Sequence, residues 1–217
     1  MKLDMDSPFI TAGIKVTNLL LLNLYWLLGC LPIITIGAST IAAFTVTLQM
    51  TEDREDPGVT KQFWKAYAAN LKHGILLTLI MAAVGYSIWI DLQLFNKMEG
   101  SPVGFLILAI ILIVFLALHF LYVFALEARY ANKVTGSLRN SRKICVRFFL
   151  RTLSLAGILF LQFMLFTRVS PVLTYAGMFF GPILAIYTVS QISMPIFRKL
   201  DTDSTSTDGF TISSSVN

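Results

Sequence analysis

Charge is missing from most of this chain. Lys, Arg, Asp and Glu together make up 13% of its 217 residues, about half the share of an ordinary soluble domain. None of the four occurs from Val16 to Thr51, a run of 36 residues. Histidine and cysteine are nearly absent too, with two of each. His73 and His119 fall in separate segments and neither belongs to an HExxH pair, so the sequence carries no zinc-hydrolase signature. Cys30 and Cys145 lack the CxxC spacing of a redox or zinc site. No P-loop and no GxSxG elbow occurs. These absences leave an enzyme without a nucleophile, a metal or a phosphate cradle. No catalytic residue, metal site or cofactor is expected.

What the chain does have is apolar surface. Hydrophobic residues reach 56% and the mean hydropathy is +0.73, more than a single soluble core of this size can hide. Four further uncharged runs follow the first: His73 to Ile90, Gly100 to Leu126, Thr152 to Thr167, and Val169 to Phe197. A spanning helix needs roughly 20 mainly apolar residues to cross about 30 Å of hydrocarbon. Each of these four runs suits one span. The fold class is therefore all-α, a polytopic helical membrane protein. The net charge of +5 flanks apolar runs, as membrane topology requires, and argues against nucleic acid as a partner.

The first run decides the number of spans. As one helix it would be about 54 Å long, nearly twice the hydrocarbon thickness. Gly29, Pro32 and Gly37 lie near its middle, and proline both removes a helical hydrogen bond and disfavours helix at the residue before it. The expected arrangement is a helix over 9–28, a turn over 29–37 and a short returning helix over 38–50, which could also begin at Ile33. That gives about six spans, with five as the alternative. With six spans and both termini in the cytoplasm, 15 Lys and Arg lie inside and only Lys97 and Arg168 outside. The five-span alternative gives 13 against 4. The positive-inside rule favours six and places the chain as a multi-pass protein of the cell membrane. Cys30 and Cys145 then lie near opposite faces, against an intramolecular disulfide. A signal peptide over the first run is disfavoured, because apolar sequence continues past any cleavage point. One transmembrane domain over 1–200 is expected, then a Ser/Thr/Asp-rich disordered tail over 201–217.

The inner loops carry the charge. After an acidic turn over 52–58, residues 59–73 have amphipathic helical spacing. Lys61, Lys65 and Lys72 share one stripe, and Val59, Phe63, Trp64, Tyr67 and Leu71 lie opposite. Such a helix either lies in the headgroup layer or packs on the bundle. The second inner segment, 127–151, holds seven basic residues and one acid. Arg139, Arg142, Lys143 and Arg147 are its candidate contact residues, with an acidic partner or anionic lipid as the ligand. A purely topogenic role is the plainer reading. At membrane depth the candidate polar residues are few: Asn18, Asn23, His119 and Gln162. They could line a polar path with His119 titrating, or simply hydrogen-bond between helices.

Two stretches carry a family resemblance. One is Asn23-Leu24-Tyr25-Trp26, followed by Leu31-Pro32-Ile33-Ile34-Thr35-Ile36-Gly37-Ala38-Ser39. The other is Phe63-Trp64-Lys65-Ala66-Tyr67 with Asn70-Leu71-Lys72. The chain resembles the YesL-like family of bacterial integral membrane proteins, a family of unknown function. Trp26, Pro32, Thr35 and Gly37 form the candidate turn signature. The resemblance implies an association with carbohydrate uptake, because family members tend to be encoded beside carbohydrate-uptake and carbohydrate-degradation genes. It supplies no catalytic residues. The expectation is an accessory membrane protein that contacts carbohydrate-transporter subunits, with the basic inner loops as the contact surface. The alternative is a small transporter or channel that works as a homo-oligomer.

Overall fold

The computed structural model describes residues 8–52, 58–96, 103–130 and 134–204. All regular structure among them is helical: α1 (Pro8–Cys30), α2 (Ile36–Thr51), α3 (Val59–Ala69), α4 (Leu71–Asn96), α5 (Val103–Arg129), α6 (Val134–Arg147), α7 (Phe149–Arg168) and α8 (Pro171–Ser204), with a 3-10 turn over Ile33–Thr35. Five helices are long and apolar enough to cross a membrane: α1, α2 with its 3-10 turn, α4, α7 and α8. The 27 residues of α5 carry no charge before Glu127, which by sequence makes it the sixth. The chain is a polytopic helical membrane protein.

The chain reverses between α1 and α2 more tightly than the sequence suggests. Gly29 remains inside α1 and Gly37 inside α2, leaving Leu31, Pro32 and the 3-10 turn between the helices. The two glycines are packing positions, not breakers. A Cβ on Gly29 would lie 2.7 Å from the Ser39 hydroxyl, and one on Gly37 would strike the backbone of Gly74. Proline alone ends α1, by its fixed ring and missing N–H. The polar groups freed there are satisfied within the turn. The Thr35 hydroxyl lies 2.8 Å from the Gly29 carbonyl and 2.7 Å from that of Pro32, and donates to both. The turn presents apolar side chains outward, with Leu31 76% and Ile33 75% exposed.

The core is built around α2. It contacts α1, α3, α4, α5 and α8, and most of its residues from Gly37 to Leu48 are buried. Its sequence explains this placement. Gly37, Ala38, Ser39, Ala42 and Ala43 let neighbouring backbones approach closely, and small residues of this kind are how membrane helices pack without a hydrophobic driving force. Its 16 residues give about 24 Å, short of a full span and suited to a central strut. By contrast, α4 has no buried residue from Thr78 to Gln93.

The amphipathic helix expected over 59–73 stops at Ala69. Asn70 caps it, its side chain donating 2.9 Å to the Ala66 carbonyl and its backbone N–H 3.0 Å to the same atom. Lys72 therefore belongs to α4 and leaves the predicted lysine stripe, and His73 lies in α4 beside it. At the other end, α8 continues through Asp201 to Ser204, where the sequence suggests the start of a tail. Residues 205–217 lie outside the described residues, as do 53–57 of the acidic turn.

Candidate functional site: the junction of helix ends

The signature residues converge on the α1–α2–α4 junction. The Ser39 hydroxyl donates 2.8 Å to the Trp26 carbonyl, and the Trp26 indole N–H donates 3.3 Å to the Thr40 hydroxyl. The Gly37 N–H donates 2.9 Å to the Thr78 hydroxyl, which itself donates 2.9 Å to the Gly74 carbonyl. Gly74 abuts Ala38 so closely that a Cβ on it would strike the Ala38 backbone. Trp26, Thr35 and Gly37 thus hold α1, α2 and α4 in a fixed register, and Pro32 makes the reversal between α1 and α2. Asn23 is buried on α1, and among the described residues its side-chain oxygen has no hydrogen-bond partner.

An aromatic group ties α3 to α1. Tyr25, Phe63, Trp64 and Tyr67 have ring centroids 5.3–6.2 Å apart, and the Tyr25 and Thr60 hydroxyls are 2.9 Å apart. Phe63 is fully buried while Trp64 is partly exposed, so the apolar stripe read from sequence divides between core and surface. Lys61 and Lys65 are exposed on the outer side of α3.

The C-terminal end of α5 is tied to the start of α4 and to the end of α2. The buried Glu127 carboxylate lies 3.1 Å from Nδ1 of His73 at the start of α4. Its second oxygen is buried without a partner among the described residues. Two residues on, Arg129 donates to Glu52 at the α2 terminus, 2.7 Å, and to Asp201 of α8, 2.9 Å. Tyr130 donates to Asp201 at 2.6 Å. The Arg129 guanidinium also lies 5.8 Å from the centroids of both the Tyr130 and Phe197 rings. Burial alone would depress an arginine, but the bonds to Glu52 and Asp201 outweigh it and hold Arg129 above its ordinary range. No sequence spacing pointed to these charges. Their only signal was their position at the ends of apolar runs.

Residues 19–92 match a protein family model. Its description is "Protein of unknown function, DUF624", and the YesL-like family is a DUF624 family. No curated protein and no solved structure matches the chain. The DUF624 match covers the α1–α2 reversal, α3 and the α4 crossing, and so coincides with the junction just described. It stops before α5.

Outside the DUF624 stretch, the remaining candidates are engaged separately. His119 is buried on α5, its Nδ1 3.0 Å from the Ser141 hydroxyl of α6, which also donates 2.7 Å to the His119 carbonyl. Gln162 of α7 donates 3.3 Å to the Gly181 carbonyl of α8. It borders an apolar groove of ≈ 520 Å³ whose walls include Phe163, Phe166 and Met178. Asn18 is half-buried on α1. The second inner segment is mostly helix. On α6, Ser137, Asn140, Ser141, Ile144 and Cys145 face inward, and Arg139, Arg142, Lys143 and Arg147 face outward. Burial pushes the Cys145 thiol up to about 11, against a weaker pull from its bond to Ser141. Cys30 and Cys145 are both free thiols.

Proposed function

We propose that this protein is an accessory membrane protein that acts by contact with other membrane proteins, and that the process it serves is carbohydrate uptake or its regulation. The observation that carries the first half is the use made of the polar side chains at membrane depth. His119 is bonded to α6 and Gln162 to α8, so these groups join helices and do not line a common route. A saccharide pathway needs hydrogen-bonding groups along its length. The second half rests on the YesL-like resemblance alone.

Two surfaces suit such contacts. One is α4, whose apolar residues from Thr78 to Gln93 are not buried by their own chain. The other is the outer side of α3, where Lys61, Trp64 and Lys65 are exposed beside the cytoplasmic ends that the charge distribution assigns.

Affinity purification from native membranes in mild detergent, with mass spectrometry of the retained proteins, tests this reading. Stoichiometric recovery of carbohydrate-transporter subunits is expected, with loss on combining Lys61→Glu and Lys65→Glu. Recovery of the chain alone as a defined oligomer would transfer support to a small oligomeric transporter, which reconstituted liposomes and a saccharide panel would then examine.

A further inference from the structure

We infer that the outward face of α6 is a docking surface for anionic phospholipid headgroups, independent of any protein partner. The face is continuous: Thr135, Arg139, Arg142, Lys143, Val146 and Arg147 are all exposed and fall on one side of the helix at about 100° per residue. The opposite side is seated on α5 through Ser137, Ser141 and Ile144, which fixes the orientation.

Two observations choose lipid over an acidic protein. The first is the apolar content of the face. Val146 sits among the basic residues and is 71% exposed, and the next two exposed positions, Phe149 and Leu150, are 63% and 77% exposed. Those residues lead without a loop into α7, one of the apolar spanning helices. A surface that is basic along its length and apolar where it meets a span matches the headgroup layer, where cations meet phosphates and apolar side chains enter the acyl boundary. The second is charge complementarity: from Arg139 to Arg147 the helix carries four cations, Arg139, Arg142, Lys143 and Arg147, and no acid. Arg147 and Arg151 also lie over the Phe148 ring, 5.8 and 6.0 Å from its centroid, keeping their planar heads near the same boundary. Arginine suits a phosphate because its fork can donate two parallel hydrogen bonds.

The test uses the full chain in mild detergent, titrated with phosphatidylglycerol or phosphatidylcholine and read by native mass spectrometry as lipids retained per protein. The wild type is expected to retain phosphatidylglycerol preferentially. Each basic residue removed should weaken that preference roughly fivefold, so combined Arg139→Ala, Arg142→Ala and Lys143→Ala should abolish it. A variant that keeps charge, Arg139→Lys with Arg142→Lys, should retain most of it and guards against simple misfolding. Replacing Lys61 and Lys65 by Ala should leave the lipid preference largely intact while disturbing partner recovery, which separates this inference from the accessory reading. Equal retention of the two lipids by the wild type would overturn the proposal. So would an undiminished preference in the well-folded triple variant, or occupation of the face by a co-purifying acidic protein in place of lipid.

Discussion

Gly37 and Gly74 meet backbone to backbone where α2 crosses α4. Neither position has room for a Cβ, and the Gly37 N–H reaches across to Thr78 at 2.9 Å. Helices can come this close only where side chains are absent, and the reward is dispersion contact and interhelical hydrogen bonding.

Replacing Gly37 or Gly74 by Leu should therefore force the helices apart. Overpacking of this kind costs typically about 1–3 kcal/mol, and the upper end is expected because the obstacle is backbone. Gly85, on the same helix, has open space around it, so Gly85→Ala should be neutral or stabilising by up to about 1 kcal/mol. Thermal denaturation in detergent, followed by size-exclusion chromatography, compares them. Equal melting temperatures for Gly74→Leu and Gly85→Ala would refute the close crossing.

Thr35 should be irreplaceable by its isostere. Thr35→Val keeps the shape but removes the hydroxyl donor from the Gly29 carbonyl, while the Pro32 carbonyl keeps the Thr35 N–H, a loss of about 1–3 kcal/mol for buried groups. Thr35→Ser should recover most of it. A stability of Thr35→Val equal to wild type would show that the turn does not depend on this hydroxyl.

The charges around Arg129 predict an asymmetric response. Arg129→Met takes the guanidinium away from Glu52, which is largely buried, and from Asp201, whose side chain is 41% exposed and keeps its bond from Tyr130. Breaking a buried pair costs about 3–5 kcal/mol. Solvent screening at Asp201 lowers this to about 2–3 kcal/mol here. Unfolding in graded denaturant should show Glu52→Gln more damaging than Asp201→Asn, and the reverse order would contradict the burial.

Tyr130 gives a pH dependence of definite sign. Burial first, then the bond donated to Asp201 and that carboxylate's charge, push its hydroxyl above the ordinary tyrosine range, although Arg129 pulls the other way. A raised folded value means the stabilisation is complete below about pH 10, the unfolded value, and is lost as pH rises through the folded one. Stability measured from pH 8 upward should fall less steeply in Tyr130→Phe than in wild type. Parallel curves would exclude the linkage.

Cys145 should be inert in the folded protein. With its thiol at about 11 and its side chain buried, thiolate at pH 7.5 is scarcer than for an ordinary thiol near 8.5 by roughly two to three orders of magnitude. In a Cys30→Ser background, maleimide should label the chain only after denaturation. Rapid labelling of the native protein would show α6 lifted from α5.

The sequence by itself determined the fold class and the spans. Uncharged runs of span length state what a bilayer requires, and that requirement acts locally, residue by residue, without reference to neighbours. It also placed the reversal at Pro32, since proline breaks a helix by its own covalent geometry. The division of labour among the glycines was decided only by tertiary structure. Gly29 and Gly37 look like breakers beside a proline, yet each remains helical because another helix occupies the place of its missing side chain. The same holds for Glu52, Glu127, Arg129 and Asp201. Their pairing depends on which helix ends come together, a long-range choice governed by packing around α2 that no spacing in a single chain encodes.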